Sequence, residues 1–183
     1  MTDLRLNWLT APERVDARMQ AQLRECWHEV SNAGGAVGFP VLPVSEEDVQ
    51  VAVHSVVRSL RCPENRLLVA TVDRGLAGWL FLAGNPGPVT AHWARVSRLQ
   101  TGLAFRGTGI GSSLLAEAAR AGVQDFGLEQ LHLEARGGMG LENFYLARGW
   151  QEVGRRRAAL RLPDGDCDEV LMSLSLTQTV PSG

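Results

Sequence analysis

The sequence predicts an α/β fold: a single domain, residues 1–183, in which one mixed, mostly antiparallel sheet is flanked by helices. Three observations carry that expectation. Hydrophobic residues make up 45% of the chain, enough for one core of ordinary size. Strand-like segments first follow one another as a meander and then alternate with helical segments, which places helices on the faces of a mixed sheet. No internal repeat, low-complexity block or long linker divides the chain.

Residues 4–9 alternate polar and apolar and read as a first strand, after which Thr10-Ala11-Pro12-Glu13 signals a helix running to about residue 30. Residues 31–40 hold Gly34, Gly35 and Gly38 and are too glycine-rich for a regular state. Ser45-Glu46-Glu47-Asp48 opens a second helix to about residue 60. Residues 66–72 and 76–83 read as strands joined by a hairpin at Asp73-Arg74-Gly75, and residues 89–101 as a long third member of that meander. Leu114, Leu115, Ala118 and Ala119 give residues 112–124 a helical period. A strand at 128–135, a short helix at 141–147 and paired terminal strands at 150–160 and 169–176 follow. Residues 177–183 read as a frayed tail.

Composition narrows the function. A formal net charge of -2 provides no field for nucleic acid or an anionic membrane, so the expected partner is a small molecule. No apolar run approaches the roughly 18 residues of a membrane span. Cys26, Cys62 and Cys167 are far apart and form no CxxC pair, which predicts reduced thiols in a cytoplasmic protein without a metal. The chain has no lysine, so a Schiff base, a phosphate-loop lysine and self-acetylation on a lysine side chain are all excluded. A dimer edge and a solvated edge read alike here, leaving a homodimer open.

The strongest local signal is Arg106-Gly107-Thr108-Gly109-Ile110-Gly111-Ser112, between a strand and a helix. Glycines let backbone amides approach an anion, and the helix N-terminus adds partial positive charge, so the segment reads as a pyrophosphate cradle with Arg106 beside it. A closely packed glycine turn gives the same sequence. Two rival nucleotide motifs fit less well. A P-loop requires lysine where Thr108 stands. A dinucleotide fingerprint would end in glycine where Ser112 stands, and residues 102–106 separate the strand from the first glycine.

Leu99-Gln100-Thr101 followed by that loop resembles the Q/R-x-x-G-x-G/A signature of the GCN5-related N-acetyltransferase (GNAT) superfamily, and Phe144-Tyr145-Leu146-Ala147-Arg148-Gly149-Trp150 resembles its FYxxxGF segment. The resemblance spans about residues 66–176. Within the superfamily, residues 34–39 and 131–134 leading to Phe144-Tyr145 are similar to acetyltransferases of the tabtoxin-resistance type. The resemblance implies an acetyltransferase fold and acetyl-CoA as cosubstrate. It further implies that Leu99, Gln100 and Thr101 offer backbone groups to pantetheine and that Arg106, Gly107, Thr108, Gly109, Ile110, Gly111 and Ser112 hold the pyrophosphate. The strands before and after the loop should splay around the thioester. Two positions depart from the pattern: Gly138 stands where many members carry Asn, and Arg95 where the tabtoxin-type enzyme is acidic.

Acetyl transfer to an amine needs a neutral nucleophile and a proton for the departing thiolate. Tyr145, the chain's one tyrosine, is the candidate acid. Glu134 is a candidate base, equally read as a solvated strand-end charge. His92, placed by alternation on a strand face with Ala94, Val96 and Arg98, is a second. The loop with Gly34, Gly35 and Phe39 is a candidate cover for the acceptor. Trp93 and Arg95, on one strand face, are candidates to meet its apolar part and a carboxylate. His28, His54 and His132 lack ligand spacing. The expected function is acetyl transfer from acetyl-CoA to a primary amine of a small molecule; the runner-up is a CoA-binding module without turnover.

Overall fold

A computed structural model describes residues 3–35, 38–39, 41–162 and 165–177. In chain order these form β1 (Leu4–Leu9), α1 (Ala17–Asn32), α2 (Glu46–Ser59), β2 (Asn65–Val72), β3 (Gly75–Ala83), β4 (Trp93–Thr101), α3 (Ile110–Gln124), β5 (Gln130–Arg136), α4 (Leu141–Leu146), β6 (Gln151–Leu162) and β7 (Gly165–Ser175). Hydrogen bonding runs in the order β1-β2-β3-β4-β5-β7-β6. β4 and β5 are parallel, while the β1–β2, β2–β3, β5–β7 and β6–β7 pairs are antiparallel, so the mixed, mostly antiparallel sheet is as the sequence predicts. The chain separates into two compact units, residues 1–83 with 96–117 and residues 84–95 with 118–183.

In the first unit, Leu23, Trp27 and Val30 of α1 and Val49, Val53, Val56 and Val57 of α2 recur at helical spacing. They share a core with Leu67, Val69, Trp79 and Phe81 of β2 and β3. α1 starts later than expected. Residues Pro12–Arg14 form a separate 3-10 turn, and the Asp16 carboxylate then caps α1 by accepting the Met19 amide at 2.7 Å. The β2–β3 turn is a two-residue hairpin in which Asp73 and Arg74 both take positive φ, the form that suits the twist of paired strands. Gly78 on β3 lets α3 approach: a Cβ there would stand 2.6 Å from the Gln100 carbonyl oxygen and 2.8 Å from Ile110 Cγ2.

In the second unit, β5 pairs with β7 over its whole length. Leu131, Leu133 and Ala135 lie opposite Leu174, Met172 and Val170 on the buried face. The parallel β4–β5 ladder runs through Trp93↔Gln130, Ala94↔Leu131 and Arg95↔His132, where it ends. The strand expected from residue 89 begins instead at Trp93. Asn85 closes the preceding segment into a turn, its side-chain amide donating to the carbonyls of Thr90 at 3.2 Å and Trp93 at 2.8 Å. His92 therefore lies in the turn and not on a strand face, and its carbonyl accepts the Glu129 and Gln130 amides. Arg155 and Arg156 of β6 are ion-paired, with Glu152 and Asp168 and with Glu169 respectively. Residues 178–183, most of the expected frayed tail, lie outside the described residues. Among the described residues no helix is long and apolar enough to cross a membrane.

Candidate active site

The glycine loop follows β4 after a 3-10 turn, Leu103–Phe105, which is the delay that separates it from a dinucleotide fingerprint. Gly107 has φ +77° and Gly109 φ +90°, conformations that L side chains rarely adopt. An added Cβ at either would meet nothing within 4 Å. These glycines thus answer to backbone conformation beside open space and not to close packing. The Thr108 hydroxyl donates to the Phe105 carbonyl at 2.6 Å and braces the turn. The first helical bond, Ser113 amide to Gly109 carbonyl at 3.0 Å, leaves the amides of Ile110 and Gly111 ahead of the ladder, where an anion can take them. Arg106 is exposed beside them.

Leu99, Gln100 and Thr101 lie at the end of β4 in the same unit. Gln100 is buried, and both polar atoms of its side chain lack a partner among the described residues. Two positions earlier Arg98 takes φ +55°, which breaks the alternation set by buried Ala94 and Val96. Left-handed backbone costs about 1–2 kcal/mol in a non-glycine residue. The Arg98 guanidinium lies 4.6 Å from the centre of the Trp27 ring, a cation–π contact of comparable size, about 0.5–2 kcal/mol.

The expected acceptor loop has structural work of its own. Gly34 has positive φ, and Gly35 donates to the Val30 carbonyl at 2.9 Å, so both end α1. A Cβ on Gly35 would stand 2.6 Å from that oxygen. Phe39 packs on Trp27 with ring centres 5.4 Å apart. Residues 36, 37 and 40 lie outside the described residues.

The second unit gathers four polar and aromatic groups on the exposed face of β4 and β5. Trp93 and Arg95 project from β4, and His132 and Glu134 from β5, with Ala94, Leu131, Leu133 and Ala135 turned to the buried face. The Trp93 and His132 rings are 4.8 Å apart, and Arg95 Nη1 is 3.7 Å from Glu134 Oε1. His132 Nε2 lies 3.0 Å from Gln130 Oε1. Burial first, then the charge of His92, holds the imidazole below its ordinary pKa, opposed by Glu134. His132 is the member of this cluster that the sequence reading passed over. Its alternation with Glu134 was visible, but not the register that brings it opposite Arg95.

Tyr145, on α4, is buried, its ring edge-on to Phe144 at 5.2 Å and to Trp150 at 5.9 Å. Burial pushes its phenol up to about 12. Gly149, just past α4, is 3.6 Å from Leu174 when given a Cβ, which sets the end of this helix against the buried face of β7. Gly138 donates its amide to the Glu142 carboxylate at 3.1 Å.

No protein-family model and no curated protein matches the chain. Solved structures do. A provisionally named GNAT-family acetyltransferase from Desulfovibrio desulfuricans shares 17% identity, with 96% of this chain and 100% of that chain covered and a TM-score of 0.73. A protein provisionally named a phosphinothricin N-acetyltransferase shares 21%, with 96% and 100% covered and a TM-score of 0.77. A provisionally named acetyltransferase from Salmonella typhimurium, solved with its cofactor acetyl-CoA, shares 13%, with 100% and 98% covered and a TM-score of 0.72. The fold of this chain is the fold of GNAT acetyltransferases.

Proposed function

We propose that the protein is an N-acetyltransferase that moves the acetyl group of acetyl-CoA to a primary amine of a small molecule, the whole chain acting as one such domain. The observation that carries this reading is the pair Gly107 and Gly109, held at positive φ beside open space immediately before α3, in a fold shared with acetyltransferases. The residues present fit the cosubstrate: the amides of Ile110 and Gly111 and the Arg106 guanidinium suit a pyrophosphate, and the end of β4, residues 99–101, suits the amide-bearing arm. Acetyl-CoA supplies an acetyl group already activated as a thioester.

The protein's own residues would then handle protons. Tyr145 Oη gives its proton to the departing sulfur, and with the phenol pushed up to about 12 it stays protonated throughout the physiological range. The exposed face bearing Trp93, Arg95, His132 and Glu134 receives the amine, Trp93 against its apolar part and Arg95 toward an anionic group. An amino-acid-like acceptor, as in the tabtoxin-resistance type, belongs to this reading, supported by the mixed charge of that face. Acetyl-CoA is expected to raise the melting temperature of the full chain while NADH does not. Thiol release should follow when amino acids, alkyl diamines, aminoglycosides and short peptides are supplied as acceptors. Stabilisation by NADH with none by acetyl-CoA rejects the reading.

A further inference from the structure

Within the acetyl-transfer reading, we infer that His132 is the general base for the acceptor amine and that Gln130 is its positioning residue. Gln130 Oε1 can only accept, so the 3.0 Å contact assigns the proton of a neutral imidazole to Nε2. Nδ1 is then the basic nitrogen, and no described residue occupies it. The Trp93 ring, 4.8 Å away, fixes the imidazole plane and limits its rotation.

The surroundings favour the neutral form of the imidazole. From β4 and the turn before it come Arg95 and His92, both cationic or able to become so; from β5 comes the Glu134 carboxylate, which faces Arg95 at 3.7 Å. β7 places Ser173 opposite His132, and β6 places Gln151 opposite Ser173, neither of them charged. Partial burial, with a smaller contribution from the charge of His92, outweighs the Glu134 carboxylate and lowers the His132 pKa, which favours the neutral imidazole that can accept a proton. Glu134, the rival base, already has a guanidinium beside it, and His92 is held in the turn by its backbone.

The ammonium form of the acceptor gives one proton to His132 Nδ1, and the freed lone pair forms the N–C bond to the thioester carbonyl carbon. The C–S bond breaks with its electron pair on sulfur, which takes the Tyr145 proton. The second amine proton then leaves to solvent, and the imidazolium of His132 and the phenolate of Tyr145 return to their starting states through water.

The test uses the full-length protein with acetyl-CoA and whichever amine the wild type accepts in the thiol-release screen, comparing single-turnover rates from pH 5.5 to 9. His132→Gln should fold and bind acetyl-CoA as the wild type does, lose about 100- to 10,000-fold in rate at neutral pH, and recover as the amine deprotonates unaided. Gln130→Glu puts a carboxylate on Nε2 and should move the acidic limb of the profile to higher pH, which a purely structural role for Gln130 would not do. Nitrogen-15 spectra of the imidazoles, read without any acceptor, should show His132 as the Nε2–H tautomer at pH 7. A charged His132, the opposite tautomer, or an unchanged pH profile in His132→Gln overturns the assignment of the base. A wild type that uses no amine in the screen overturns the acetyl-transfer reading itself.

Discussion

Arg95 and His132 face each other on the last rung of the parallel ladder between β4 and β5, and that pairing assembles the cluster of Trp93, Arg95, His132 and Glu134 on one exposed face. The Arg95–Glu134 pair is partly exposed, so its contribution to stability is about 0–1 kcal/mol. Arg95→Ala should therefore leave the urea midpoint nearly unchanged while raising the acceptor KM. A loss of stability with an unaltered KM would mean the pair serves the fold.

Gly109→Ala adds a strained left-handed residue, and Gly109→Asp adds a negative charge at the same point. Both substituents enter open space. The alanine variant should remain folded and bind acetyl-CoA about tenfold more weakly, and the aspartate variant more weakly still, as read by titration calorimetry. Wild-type affinity in both folded variants would mean that the loop does not hold the cosubstrate.

Gly78 tests how the loop is supported. Gly78→Val would press on the Gln100 carbonyl, Ile110 and Leu114, and overpacking of this kind typically costs about 1–3 kcal/mol. Urea unfolding should register that loss, and acetyl-CoA affinity should fall with it because α3 is displaced. A variant as stable as the wild type would show that β3 and α3 can separate without consequence.

Two buried acids, Cys26 and Tyr145, are expected to weaken the fold at alkaline pH. Burial, helped by the charges of Glu29 and Glu25, pushes the Cys26 thiol up to about 12 from 9.0, and burial pushes Tyr145 up to about 12 from 10.0. Each folded-state value lies above the unfolded one, so the folded chain holds protons that the unfolded chain releases. Their contribution is complete below about pH 9 and is lost as the pH climbs toward 12. The melting temperature should fall over that window, and Cys26→Ala with Tyr145→Phe should flatten the decline. An unchanged slope in the double variant would place the alkaline sensitivity elsewhere.

The sequence made much of this architecture legible, for identifiable reasons. The Asp73-Arg74-Gly75 hairpin, the helical stripe of α3 and the glycines at 107 and 109 are local signals, set by turn chemistry, period and backbone freedom. What failed to show depended on tertiary context. Asn85 bonds across to Thr90 and Trp93, which turns residues 87–92 and removes His92 from the strand where alternation had put it. Arg98 departs from the same alternation through one positive φ. His132 became visible as a candidate only when the register set it beside Arg95 and Trp93. Gly34 and Gly35, candidates for acceptor binding by composition, acquire a reason in the ending of α1.

Tyr145→Phe removes one hydroxyl and keeps the ring contacts with Phe144 and Trp150. Acetyl-CoA affinity should survive, while single-turnover acetyl transfer slows by about 100- to 10,000-fold, the usual range for loss of a positioned acid. Wild-type rates would make Tyr145 a packing residue.

The most direct measurement follows both products of one reaction: free thiol and acetylated amine, quantified by absorbance and mass spectrometry after the purified protein is mixed with acetyl-CoA and the acceptor set. The account predicts equal amounts of thiol and N-acetylated product from at least one amine, and loss of both in Gly109→Asp. Binding of acetyl-CoA without either product across the whole set would contradict it and leave a CoA-binding protein without transferase activity.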